Sequence, residues 1–260
     1  MLSGLLLGTI VGLLAGLLGI GGGLLIVPVL AYLLSSLLEI PATETIVIAI
    51  ATSLSTIVFT GMSSARAHYK LGNLNRNIVL WCGVGIAIGA AVGAQIAAAI
   101  PGQLLKQIFA LLVFAIALYM IFGTRRESQN TATNRRLSMV GVGAGALSAL
   151  MGIGGGALLV PALVWYRVNI RQAIGCAAFS GIIIAIFGSA SFIVSGWHYS
   201  QAANGFIGFV YWPATLGIAV TSVITAPLGA RLGQRINTQW LKRVFAVFLI
   251  LVSIRMLWGF

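Results

Sequence analysis

Aspartate is absent from the 260 residues, and glutamate occurs only at Glu39, Glu44 and Glu127. Those three glutamates are expected in loops. Carboxylate relays buried in a membrane are the usual mark of proton-coupled cation transport, so their lack argues against a cation exchanger. Cysteine is limited to Cys82 and Cys176, both inside apolar runs, with no CxxC or Cys/His cluster. That pattern argues against a structural metal and against a disulfide framework. No HExxH, GxSxG or paired intramembrane carboxylates are present, so no nucleophile–base constellation suggests an enzyme. The start of the chain is apolar but has no Lys or Arg before the apolar run, and a cleaved signal peptide is not expected.

What the chain does have is apolar length. It is 60% hydrophobic and only 7% charged, with a mean hydropathy of +1.07. Runs long enough to cross a bilayer, which takes about 20 residues, recur from end to end. These features predict an all-α polytopic membrane protein with no separate soluble domain and no barrel-type alternation. The net charge of +12 is then read as loop Lys and Arg facing anionic lipid headgroups, not as a nucleic-acid surface.

Within this apolar chain, residues 16–28 read GLLGIGGGLLIVP and residues 149–161 read ALMGIGGGALLVP. A glycine in a helix interior costs about 1 kcal/mol relative to alanine, so a triplet followed by Pro28 or Pro161 predicts a deliberate helix break. More of the pattern repeats in order. Ser55 with Ser63–Ser64–Ala65 is matched by Ser180 with Gly188–Ser189–Ala190. His68–Tyr69 is matched by His198–Tyr199, and residues 93–110 are matched by 229–246. This predicts two homologous halves, residues 1–123 and 138–260, joined by a polar linker at 124–137 and integrated into one membrane domain. Each half holds one glycine-broken segment and three spans. In the first half the spans fall at 45–65, 77–99 and 104–123, with a polar loop carrying Arg66, His68, Lys70, Asn73, Asn75 and Arg76. The spacing Gly85–Gly89–Gly93 suits close helix packing.

Loop charge discriminates between two topologies. If each broken segment crosses the membrane, the halves are parallel and the Arg231–Arg243 cluster separates from the other cations. If each is re-entrant, the halves are inverted, and every Lys and Arg except Lys106 and Arg255 falls on one side. The positive-inside rule favours the inverted arrangement. It puts both chain ends outside and the linker in the cytoplasm of a plasma-membrane protein. Inverted repeats with broken helices at matching places point to a transporter site at the midplane. A broken helix exposes backbone N–H groups and the positive end of its dipole, which together favour an anion.

The duplicated GIGGG-x-L-(L/I)-V-P motif, spread over an apolar chain of this length, resembles the TauE/SafE (sulfite exporter) family of membrane transporters. The resemblance covers essentially the whole chain. It implies transport of small sulfur-containing anions such as sulfite, thiosulfate or sulfoacetate.

The candidate substrate-binding residues are Gly21, Gly22, Gly23, Gly154, Gly155 and Gly156, with Thr52, Ser53, Ser55, Cys176 and Ser180 as cavity-lining neighbours. Tight helix packing is the alternative for the glycines, and bonding back to helix carbonyls the alternative for the hydroxyls. A small buried packing role is the stronger reading for Cys176. His68 and His198 are candidates for proton coupling, against an interfacial role beside tyrosine. Asn73, Asn75 and Asn204 are candidate helix caps. No cofactor or metal is expected; the expected partners are a small anion, the bilayer and a coupling ion. The function read from the residues is a secondary anion transporter working by alternating access. A passive anion channel and a non-transport membrane subunit are the competing readings.

Overall fold

The computed structural model describes residues 8–14, 22–37, 40–122, 133–199, 205–232 and 238–258. They form ten helices: α1 (residues 8–14), α2 (Gly23–Leu37), α3 (Ala42–Lys70), α4 (Arg76–Ala99), α5 (Gly102–Phe122), α6 (Asn134–Leu150), α7 (Gly156–Trp165), α8 (Ile170–Ser195), α9 (Trp212–Leu232) and α10 (Thr238–Trp258). Among the described residues, five helices are long and apolar enough to span a bilayer, namely α3, α4, α5, α8 and α9. At about 1.5 Å per residue α2 reaches only about 22 Å and α7 about 15 Å, short of a hydrocarbon core about 30 Å thick.

The outward faces are apolar in register. Val84, Ile88 and Val92 line one exposed stripe of α4, and Val220, Ile224 and Leu228 line the matching stripe of α9. Stripes of that length on an exterior surface are suited to lipid.

Close approaches between helices set their directions. Gly61 faces Ile182 and Gly188 faces Leu54, so α3 and α8 run antiparallel through the centre. Gly85 lies on Ser138, Gly89 on Val142 and Gly93 on Ala146, so α4 and α6 run parallel. The predicted glycine spacing on α4 therefore does pack closely, its partner being α6. On the other side Gly8 meets Ile218, Gly12 meets Ser222 and Gly229 meets Leu13, so α1 and α9 are parallel. Hydrogen bonds align α3 with α9, through Ser55–Thr215 and Ser63–Val223. They align α4 with α8, through Ala91–Ser191 and Gln95–Ser195. Consequently α1, α3 and α9 point one way, and α4, α6 and α8 the other.

Several boundaries differ from those expected of the sequence. Helix α3 continues through Arg66, His68 and Lys70, and Arg76 opens α4, which leaves only residues 71–75 as the loop. The chain can continue because Arg66 and Lys70 are exposed at the helix end, where water or headgroups solvate them, while His68 faces inward and is buried. Asn75 caps α4 by accepting from the N–H groups of Asn77 and Ile78 at 3.1 and 3.3 Å, whereas the amide of Asn73 donates to His68 O. Asn169 caps α8 in the same manner. Asn204 lies outside the described residues. Helix α6 begins at Asn134, so residues 134–137 of the expected linker are helical and Leu137 is buried.

A short hairpin, β1 (Phe206–Ile207) and β2 (Val210–Tyr211), follows α8 and has no counterpart in the all-helical expectation. Gly208 opens its two-residue turn, a favoured place for glycine in such turns. The hairpin packs Phe206 and Phe209 against Tyr199. Tyr199 also hydrogen-bonds Glu44 at the start of α3; burial and then the Glu44 carboxylate push the phenol up to about 12.

Candidate functional site

The second glycine break lies wholly within the described residues. Helix α6 ends with Gly152 N–H donating to Ala149 O and Ile153 N–H donating to Ser148 O at 2.8 Å, which satisfies its last carbonyls. Helix α7 then starts from Gly155, whose φ of 75° lies in the left-handed region. Gly22, at the start of α2, has the matching φ of 77°. Non-glycine residues adopt this conformation at a cost of about 1 kcal/mol or more. The first backbone bonds are also the same. Leu25 and Ile26 donate to Gly22 O, and Leu158 and Leu159 donate to Gly155 O. In each helix the two preceding N–H groups, of Gly23 and Leu24 or of Gly156 and Ala157, come before the first intrahelical bond. Pro28 and Pro161 are each the sixth residue of their helix.

The two helix starts converge. Gly23 is pressed against the Gly152 carbonyl and Ile153 Cα, leaving no room for a side chain. Gly152 also touches Val27 and Ile50, while Gly154 lies on Gly181 and Gly155 faces Ile184. Gly181 and Ile184 are halfway along α8, and residues 22–23 and 151–156 are all buried. Because α7 starts beside the middle of α8 and ends four residues before α8 begins, it runs back along α8, opposite in direction to α6. The break is thus a turn at mid-depth, with two short helices starting at it.

The hydroxyl groups around this point fall into two sets. Ser53 donates to Gly152 O at 2.8 Å, Thr52 Oγ1 accepts from Tyr211 N–H at 3.0 Å, and Ser55 pairs with Thr215 at 3.4 Å. The first ties α3 to the break, and the other two tie α3 to the hairpin and α9. Ser180, beside Gly181, and Ser148, whose Oγ lies 4.0 Å from where a Gly155 side chain would begin, are fully buried and have no hydrogen-bond partner among the described residues. Ser189 and the Trp212 indole N–H are likewise unpartnered. A buried hydroxyl without a partner costs about 1–3 kcal/mol, so such groups call for an explanation.

The structure therefore brings together Gly22, Gly23, Gly154, Gly155, Gly156 and Ser53, with Ser180 on the adjoining stretch of α8. Gly21 lies outside the described residues. Thr52 and Ser55 point to α9 and the hairpin. Cys176 is not at the break: it sits near the start of α8, where its sulfur contacts the backbone N–H and carbonyl of Asn75 at 3.5 and 3.8 Å. It was expected beside the break; the antiparallel run of α8 against α3 carries it instead to the far end of α3. The histidines occupy unlike surroundings. His68 is buried with neither ring nitrogen bonded, and His198 is exposed with its edge toward Phe209. Ser148 was not legible as a candidate. Its only signal is its place one turn before Gly152, on a helix made of apolar and small residues from Leu137 onward.

A second feature adjoins the break. A cavity of about 600 Å³ lies between α5 and the α6–α7 turn, lined by Leu112, Ile116, Met151, Leu158, Pro161 and Trp165 among others. Its walls are almost wholly apolar.

The long apolar helices are those of a multi-pass membrane protein, and sequence comparison puts it among membrane transporters. The family model for the sulfite exporter TauE/SafE matches residues 4–256, and the chain belongs to that family. A probable membrane transporter protein of Haemophilus influenzae is 40% identical over 97% of this chain and 96% of its own length. One from Xylella fastidiosa is 30% identical over 96% and 92%. One from Methanocaldococcus jannaschii is 26% identical over 97% and 94%. No solved structure matches the chain.

Proposed function

We propose that this protein is a secondary transporter of a small anion, a sulfur oxyanion or organosulfonate such as sulfite, thiosulfate or sulfoacetate. The observation that carries this reading is the meeting of two helix N-termini, Gly22–Gly23 and Gly155–Gly156, beside the middle of the α3–α8 pair. The open N–H groups and both dipoles favour negative charge there without any basic side chain. Ser148 and Ser180 supply hydroxyl donors for oxyanion oxygens. The family's description as a sulfite exporter supports the substrate class.

The halves, residues 1–123 and 138–260, are inverted copies on either side of the linker at 124–137. The opposite directions of α3 and α8, of α1 and α6, and of α4 and α9 support that arrangement. Both chain ends lie outside the plasma membrane, and the linker lies in the cytoplasm. Alternating access arises from rocking of one half against the other, and the apolar cavity leaves α7 room to move against α5. Of the two histidines, buried His68 is the better placed to couple transport to a proton.

The test is uptake into proteoliposomes of radiolabelled sulfite, thiosulfate, sulfate and sulfoacetate. Saturable uptake with counter-substrate exchange is expected for at least one of them. Non-saturating flux without exchange would replace the transporter by a channel, and no flux of any of the four would remove the substrate class.

A further inference from the structure

The cytoplasm-facing charge pattern hides a more specific feature. A cavity of about 590 Å³ opens between α3 and α9. These helices run parallel, so its lining is ordered by depth. Phe59, Met62 and Val223 come first along the two helices, and Arg66, Lys70 and Arg231 come one to two turns later. From Phe59 to Lys70 the rise is about 16 Å. Among the described residues the lining includes three cations and no carboxylate. Phe59 and Met62 are exposed apolar residues on an outward face, where the surrounding medium is lipid.

The repeat provides an internal control. The alignment that pairs Ser55 with Ser180 and Gly93 with Gly229 runs without a gap through α3 and α8, so that His198 falls five residues past the position matching His68; by it the counterparts of Arg66, Lys70 and Arg231 are Ser191, Ser195 and Gln95. Those three close on one another. Gln95 Nε2 donates to Ser191 Oγ at 3.0 Å, and Ser195 Oγ donates to Gln95 Oε1 at 2.9 Å. The fold accepts a neutral, self-satisfied cluster at this position, so packing does not demand the three charges on the other copy.

We propose that the α3–α9 cavity is a binding site for an anionic phospholipid. Its phosphate lies between Arg66, Lys70 and Arg231, and its acyl chain lies along Phe59, Met62 and Val223. Arginine suits this role because its planar fork can engage two phosphate oxygens at once. An apolar floor continuous with a cationic end matches the amphipathic build of a lipid; a free anion would use only the cationic end.

The experiment is native mass spectrometry of the purified full chain titrated with phosphatidylglycerol or phosphatidylcholine. The wild type should retain phosphatidylglycerol at least ~10-fold better, on the scale expected for several cations near an anionic surface. Arg66→Gln/Lys70→Gln/Arg231→Gln should lose that preference. Arg231→Gln alone, which leaves α3 untouched, should lower it several-fold, and Arg66→Lys/Arg231→Lys should keep part of it. The control Arg135→Gln/Arg171→Gln removes cations elsewhere and should leave it unchanged. An undiminished preference in the triple and single variants would overturn the site. An equal loss in the control would reduce it to general surface charge. Displacement of phosphatidylglycerol by millimolar inorganic phosphate would make it a free-anion pocket instead.

Discussion

The two glycine breaks share a backbone but not a set of side-chain partners. Gly22 and Gly155 adopt the same left-handed conformation, each starts a short helix, and each helix has proline at its sixth position. Around them, the first-half hydroxyls are spent on structure: Ser53 holds Gly152 O, Thr52 holds the hairpin and Ser55 holds α9. The second-half hydroxyls Ser148, Ser180 and Ser189 have no partner among the described residues. The two breaks are matching backbone frames, and among the described hydroxyls beside them the uncommitted donors belong to the second half. The difference suggests that an anion at the convergence is gripped unequally, by backbone from both halves and by hydroxyls from the second.

The strongest way to break this comparison is to remove the shared backbone feature. Gly155→Leu and Gly22→Leu should each lower proteoliposome transport by about 100-fold or more, since both the conformation and the space are lost. Membrane insertion should persist. Full transport in both variants would take the breaks out of the site.

A sharper test separates the two hydroxyl sets. Ser148→Ala and Ser180→Ala should raise KM by roughly 5–20-fold while leaving Tm unchanged or slightly higher, because an unpartnered buried hydroxyl is removed. Ser53→Ala should do the reverse, costing about 1–3 kcal/mol of stability by orphaning Gly152 O. Equal effects from all three would erase the distinction between structural and ligand-facing hydroxyls.

The histidine pair offers a third contrast. His68→Gln should flatten the dependence of transport on pH, while His198→Gln should not, since only His68 is enclosed by the helices. A flattened profile from His198→Gln alone would reverse that assignment. The smallest effect is expected at the hairpin: Tyr199→Phe removes one hydrogen bond to Glu44 and should lower stability by about 1 kcal/mol, measured by thermal unfolding in detergent.

Much of this was legible beforehand, for identifiable reasons. Apolar run length revealed five of the spans, and the second GIGGG segment revealed where α6 stops and α7 starts. Gly85–Gly89–Gly93 announced a close contact, although not that α6 would fill it. The failures have causes as clear. Helix α3 overran its expected end because Arg66, His68 and Lys70 look like loop residues in composition, yet long polar side chains are tolerated at a helix terminus. Cys176 was misplaced relative to the break because alignment of repeats says nothing about depth once one helix is reversed against the other. The hairpin at 206–211 is too short to leave a periodic signal.

What the sequence by itself determined is local: apolar length and helix interruption. Each depends on residues close together in the chain, through backbone conformation and the cost of burying polar groups. What only the tertiary structure decided is which groups remain unsatisfied after packing. Ser53 and Ser180 are both serines in apolar spans, and their sequences do not distinguish them. Only the antiparallel crossing of α3 and α8 gives one of them a carbonyl and leaves the other without, because a hydrogen bond depends on distances of a few tenths of an ångström between residues far apart in the chain.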